Sequence, residues 1–410
     1  MLKLASRDLD AVRELERLQQ AERIAAGEPR LSPDDFVRLL HEDVRLGIIR
    51  DALDRGGLSA AIAAVDPALP TERDRIAMHL AAWRLDEPGQ WSQYETPATR
   101  WHLANYCARI EALFNRHNWH IPVAPAVGTL TSGQVSAGTQ KTPKGAPLIL
   151  IDNGFFKFSG MLAQAVLFTS YDANVKGAFS EAALQLVADL AATQTVLNTC
   201  LYIYPRTTPS EFMPQVAALQ DAVALFVLGH EYGHLAAGDL DAHPLGREVG
   251  RESRHAQEFE ADKVGFVTAL EATDEQGMAG AGVFGAFIYF AGLDLLARAA
   301  AVYEDRPPPE LAPGEMSGYP TPFERTTHLL DWLEASAYAP QWHEQIRAAS
   351  KAYNTLLFAW DLILPGFLAA RDAMQQFEPG RQGRLLMPDA VVFGLVTTLW
   401  QHVSKTLVPH

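Results

Sequence analysis

Seven residues from Val223 to Gly229 (VALFVLG) carry no polar side chain, and they lie inside a longer helical pattern. Apolar positions recur at Val216, Leu219, Val223, Phe226 and Val227 at helical spacing, with Pro214 suited to the first turn. A helix that is apolar on every side has no face to give to water, so it runs through the middle of a core. Directly after this segment come His230-Glu231-Tyr232-Gly233-His234, and the helix is expected to end at Ala236–Gly238 with Gly238 as its cap. Buried histidines and a buried carboxylate need partners, so the fold must bring those partners to the end of this helix.

On a helix, residues i and i+4 stack on one face, so His230 and His234 can grip one metal ion while Glu231 lies beside the pair, in reach of a metal-activated water. This is the HExxH arrangement. Twenty-four residues after His234, Glu258-Phe259-Glu260-Ala261-Asp262 opens a further helical run through Val264, Phe266, Val267 and Leu270. Glu258 and Asp262 share a face of that helix. Glu258 is expected to supply the third ligand and Asp262 to accept the free N–H of a ligand histidine, fixing its tautomer. His243 and His255 are the other candidates for third ligand, and Glu260 and Glu252 read as solvated acids.

The rest of the chain is organised around this region. Residues 1–118 read as helices, with an N-cap and proline at Ser32-Pro33-Asp34-Asp35, breaks at Gly56-Gly57 and at Asp66–Pro70, and a last helix over Pro97–Asn115. From Trp119 the period changes, and strands are expected at about 122–130, 133–137 and 147–151, forming a small, mainly antiparallel sheet. Helical spacing returns at Gly154 and after the N-cap Ser180, with a loop at Pro205–Pro209. The fold class expected is α+β and predominantly helical, with an N-terminal helical region (1–118), a core carrying the chemistry (119–338) and a C-terminal helical region (339–410).

Composition narrows the function. A net charge of −15, with no local basic patch, argues against nucleic-acid binding. Cys107 and Cys200 cannot build a disulfide framework or a zinc ribbon, and the N-terminus MLKLASRDLD lacks a leader's apolar run, so the expected setting is cytoplasmic. Gln276–Leu293 has no charge and carries Gly277, Ala281 and Gly285 at the spacing of packed membrane helices. Asp274, Glu275 and Asp294 bracket it without a Lys/Arg cluster, which favours a buried core helix over a membrane span.

His230-Glu231-Tyr232-Gly233-His234 followed by Glu258-Phe259-Glu260-Ala261-Asp262 resembles the gluzincin metallopeptidases of the CaaX prenyl protease/HtpX type, which pair an HExGH helix with an ExxAD helix. Gln134–Gly138 leading to Pro147–Phe155 is similar to that family's edge strand and the strand before its metal helix. Gly318–Arg325 is similar to its later HPPxxxR segment. The likeness covers about residues 120–335. Tyr319 stands where the family has a histidine, more than sixty residues separate Gly154 from His230, and the multi-span membrane helices are missing, so soluble Lit-type phage-exclusion peptidases are equally similar. The resemblance implies a gluzincin-like core, a Zn2+ ion held by His230, His234 and Glu258, and a protein or peptide substrate.

The mechanism expected is peptide-bond hydrolysis with Glu231 as general base, an oxyanion donor from among Tyr319, Arg325 and His328 in the loop after Arg306–Pro313, and an extended substrate added as a strand at Ser132–Gly138. The alternatives from other classes are a regulatory or phage-defence protein that keeps the fold but acts by binding, and a zinc hydrolase acting on a small molecule.

Overall fold

The computed structural model describes residues 7–25, 91–131, 133–197, 212–240, 251–306, 319–375 and 395–405, apart from a few single positions. The expected features at Ser32–Asp35, Gly56-Gly57, Asp66–Pro70 and Pro205–Pro209, the Arg306–Pro313 stretch beyond Arg306, and Cys200 and His243 lie outside the described residues. By internal contact the chain divides into two units, Met1–Thr131 with Gly138–Ile151, and Ser132–Ala137 with Asp152–His410. The division falls at neither 118 nor 338.

The first unit holds α1 (Leu9–Ala25), α2 (Pro97–Arg116) and a three-stranded sheet of β1 (Ala126–Leu130), β2 (Ala137–Lys141) and β3 (Pro147–Asp152), the end residues Ala137 and Asp152 belonging to the second unit. The strand order is β1-β3-β2 and the sheet is mixed, where the sequence pattern suggested a mainly antiparallel one. The β2–β3 hairpin closes at Thr142–Ala146, with Gly145 at φ 89°. Ala11, Val12 and Leu15 of α1 pack with Ala126, Ala146 and Leu148 as an apolar cluster. Beside it the buried Glu95 carboxylate accepts hydrogen bonds from the Thr129 hydroxyl (2.7 Å) and the Gln19 amide (2.7 Å). The second strand in sequence, β2, sits further along than its alternation suggested, at 137–141 rather than 133–137. Gly133 turns the chain at φ 74° and the Ser136 hydroxyl is bound by the Asp152 carboxylate, so the residues before Ala137 make a bend.

The second unit is helical: α3 (Asn153–Tyr171) running into a π-helical turn (Asp172–Lys176), α4 (Glu181–Leu197), α5 (Met213–Ala237), α6 (Arg251–Asp274), α7 (Ala281–Tyr303), α8 (Pro322–Ala335) and α9 (Ala339–Gln375). Ser180 caps α4, its hydroxyl accepting from the Ala183 N–H at 3.3 Å. As its composition requires, α5 is central: Ala222 to Gly233 are all buried, and α3, α6 and α7 pack around it. The small residues of α7 serve this packing. A Cβ on Gly285 would stand 2.5 Å from the Ala222 carbonyl oxygen of α5, and one on Gly282 would stand 2.3 Å from that of Ala269 on α6. Ala281–Tyr303 and Pro340–Met374 are long and apolar enough to cross a membrane, and most of the first is buried against neighbouring helices. Asp294 lies inside α7, where it accepts from the Tyr353 hydroxyl (2.8 Å) and from Arg298 (3.2 Å).

Candidate metal centre

The HExxH residues occupy the last two turns of α5. The helix has proline in its first turn and ends where Gly238, at φ 72°, turns the chain left-handed, with the Asp239 N–H donating to the His234 carbonyl at 3.1 Å. His230 and Glu231 are buried and His234 nearly so.

Glycine brings α6 against this end of α5. A Cβ on Gly265 would stand 2.6 Å from the Phe226 carbonyl oxygen and 3.1 Å from the His230 nitrogen. One on Gly229 would meet the Thr268 side chain at 2.7 Å, and one on Gly233 would meet Ala261 Cα at 3.1 Å. The glycine of the HExGH pattern and the alanine of the ExxAD pattern therefore face each other across a helix contact that larger side chains would hold open.

That approach delivers Glu258. His230 Nε2 and His234 Nε2 face one another at 3.1 Å, and the Glu258 oxygens lie 3.5 Å from His230 Nε2 and 3.7 Å from His234 Nε2. A tetrahedral ion bonded at ~2.0–2.1 Å spans ligand-to-ligand edges of about 3.3–3.4 Å. The His230–His234 edge falls just under that value, and each histidine has its own Glu258 oxygen just above it (Oε2 for His230, Oε1 for His234). One ligand atom from each side chain lies within 4.8 Å of the others, so the three are close enough to share an ion. His255 does not belong to this group of His230, His234 and Glu258.

Each histidine is oriented by a carboxylate. Asp262 Oδ1 lies 3.0 Å from His230 Nδ1, and Asp239 Oδ2 lies 2.8 Å from His234 Nδ1. With Nδ1 donating to a carboxylate, Nε2 keeps its lone pair for a metal. Asp262 takes the position expected of it. Asp239 was not anticipated; the local signal for it is an acid next to the Gly238 cap, where the left-handed turn folds the chain back over His234.

Arg325 is placed by the start of α8. Thr321 and Glu324 form a capping box, the Glu324 N–H donating to the Thr321 hydroxyl (3.1 Å) and the Thr321 N–H to the Glu324 carboxylate (2.6 Å), with Pro322 in the first turn. From there Arg325 forks onto Asp262, its Nε donating to Oδ2 at 2.8 Å and its Nη2 to Oδ1. Nη1 stands 3.5 Å from Glu258, and the guanidinium lies 4.9 Å over the Phe290 ring of α7. Arg325 was expected to aim a donor at substrate, but its donors are engaged by the two carboxylates. Tyr319 is half exposed, with its ring under the Arg254 guanidinium at 5.0 Å, one turn before Glu258 on α6. His328 stacks on Phe259 at 4.1 Å. Glu260 is exposed and pairs with Lys263, the solvated role expected of it.

Burial alone would keep His230 neutral, but hydrogen bonds to Asp262 and Glu258 outweigh it and lift its pKa to about 9. Burial likewise opposes the charges of Glu258 and Asp262, yet His230 and Arg325 hold both below the usual carboxylate range. Two anions kept charged in a buried place need cations beside them, and Arg325 and the protonated His230 fill that need here. Tyr289 of α7 joins this field unannounced by the sequence. Its ring packs 5.9 Å from Phe226 and 6.3 Å from Phe155. Burial, followed by the charges of Glu231, Asp262 and Glu258 acting against Arg325, pushes its phenol up to about 12. In the sequence it sits within an apolar run that reads as packing.

No protein-family model, curated protein or solved structure matches the chain.

Proposed function

We propose that the chain is a cytoplasmic zinc-dependent metallopeptidase of the gluzincin kind, with His230, His234 and Glu258 as ligands and Glu231 as general base. The observation that carries this reading is the convergence of His230, His234 and Glu258, one ligand atom from each lying within 4.8 Å of the others and all of types zinc takes, next to a buried glutamate in the adjacent helix position.

Zinc, when bound, supplies a Lewis acid that brings the pKa of a water toward ~7 and polarises a carbonyl. Glu231 takes the proton of the attacking water and delivers it to the leaving amine, a contribution of ~10²–10⁴ in rate. Asp262 and Asp239 hold the imidazoles in the tautomer that leaves Nε2 free. Arg325 holds the two carboxylates of α6 in place and offsets their charge. Tyr289, whose phenol stays protonated at pH 7, and Tyr319 are the donors for a developing oxyanion.

The test joins metal analysis to a proteome-wide cleavage assay with Glu231→Gln as the control. The expected result is about one zinc per chain in both proteins, with cleavage products in the wild type alone. Equal cleavage by the two would remove the peptidase assignment. Zinc without cleavage of any peptide would favour a binding role or a small-molecule substrate.

A further inference from the structure

A cavity of about 1140 Å³ opens in the helical unit, bounded by the π-helical turn, the start of α4, the outer face of α9 and the helical residues 399–405. It is somewhat larger than the ~300–1,000 Å³ usual for small-molecule sites. It shares no lining residue with the metal centre.

Its lining along α9 changes character in one direction. Arg347 and Lys351 come first, Asn354 and Thr355 follow, and Phe358 and Leu362 come last, all on one helix face. Opposite the apolar end lie Phe179, whose ring is 5.9 Å from Phe358, and Trp400. Phe358 and Leu362 are 56% and 37% exposed, a cost in water that a bound apolar chain would remove. At the other end, Lys351 donates to Asn174 and Arg347 lies against His343; neither cation has a carboxylate partner among the described residues. The one acid in the lining, Glu181, accepts from the Trp400 indole N–H at 3.2 Å.

We propose that this cavity binds a single-chain anionic amphiphile, its acidic head at Arg347 and Lys351 and its alkyl chain along Phe358, Leu362 and Trp400. The fifteen residue steps from Arg347 to Leu362 span about 22 Å of helix. That is the reach of an extended chain of roughly sixteen carbons with its head group, given ~1.5 Å carbon–carbon bonds. A free carboxylate and a phosphate monoester satisfy the head-group chemistry equally.

The experiment uses the full chain and brominated hexadecanoate, which quenches nearby tryptophan. Saturable quenching is expected below the micellar range, with most of its amplitude lost in Trp400→Phe. Each buried methylene contributes up to about fourfold in affinity, so a ten-carbon acid should bind at least tenfold more weakly in a competition format. Phe358→Asp, at an exposed site that leaves the fold intact by circular dichroism, should weaken binding tenfold or more. The double variant Arg347→Ser/Lys351→Ser should weaken hexadecanoate and hexadecyl phosphate by a similar factor and leave hexadecanol nearly unchanged. Preference for either acid over the other identifies the natural head group. The inference is overturned if quenching does not saturate, if Phe358→Asp binds as wild type does, or if the double variant affects the alcohol as much as the acids. Zinc content and cleavage are read on the same samples and are expected to be unchanged.

Discussion

Replacing Gly265 by alanine adds one methyl group where α6 touches the backbone of α5. The new Cβ would stand 2.6 Å from the Phe226 carbonyl oxygen, and ordinary contact begins at 3.4 Å, so the helices must part by about 0.8 Å at that point (3.4 − 2.6). Zinc sites tolerate roughly ±0.2 Å in ligand distances. Gly265 lies seven residues, two turns, along the same helix from Glu258, so part of the displacement reaches the third ligand. Overpacking costs ~1–3 kcal/mol, while alanine regains ~0.5–1 kcal/mol over glycine in a helix interior. The net loss of stability is then only about 0–2.5 kcal/mol, and the larger effect is on the metal. Zinc affinity is expected to fall about 10–100-fold, the range seen when the supports of a site are disturbed. Competition against a chromophoric chelator measures that, and thermal denaturation of the metal-free protein measures the rest. Gly138→Ala is the control, since a Cβ there meets nothing within 4 Å. If Gly265→Ala binds zinc as wild type does and melts higher, the glycine contact does not set the spacing of the site.

Zinc must displace the His230 proton, which the metal-free site retains up to about pH 9. Affinity should therefore rise by up to about tenfold per pH unit from pH 7 to 9 and then level, with close to one proton released per zinc by calorimetry in buffers of different ionisation enthalpy. The raised pKa also stabilises the metal-free fold below pH 6.5, and that contribution is lost as pH rises through 9, so its melting temperature should decline across that window. Asp262→Asn removes the charge that Arg325 forks onto and should cost about 3–5 kcal/mol in urea unfolding as well as weakening zinc about 10–100-fold; a loss of activity with neither change would assign Asp262 a direct role. Tyr289→Phe should lower kcat more than Tyr319→Phe with KM and zinc content little altered, each by less than the ~10²–10³ of a fully enclosed oxyanion donor; the reverse order would return the donor role to Tyr319.

The parts of this molecule that sequence reading recovers are those fixed by neighbouring residues. An apolar run with proline at one end and glycine at the other is sufficient for α5, and i, i+4 spacing is sufficient to stack His230 on His234 and Glu258 on Asp262. Sheet pairing is less accessible, because β1 joins β3 rather than its neighbour in sequence, and no local period encodes that choice. Arg325 meets Asp262 across 63 positions, and Tyr289 enters the field of the carboxylates only because α7 packs on both α5 and α6. Nothing near either residue announces its partners.

The two histidines reach readiness by different routes. His234 finds its carboxylate five residues away, on the turn that ends its own helix, so that half of the site takes shape as soon as α5 and its cap form. His230 waits for Asp262, thirty-two positions on (262 − 230), and for the arginine that steadies Asp262, a further sixty-three beyond. Closing those longer loops has an entropic cost that short-range order does not share. A chain emerging from synthesis thus orders one imidazole early and the other only after α8 has been made, so on the proposed zinc role strong metal capture would come late and would report that the whole helical unit has assembled.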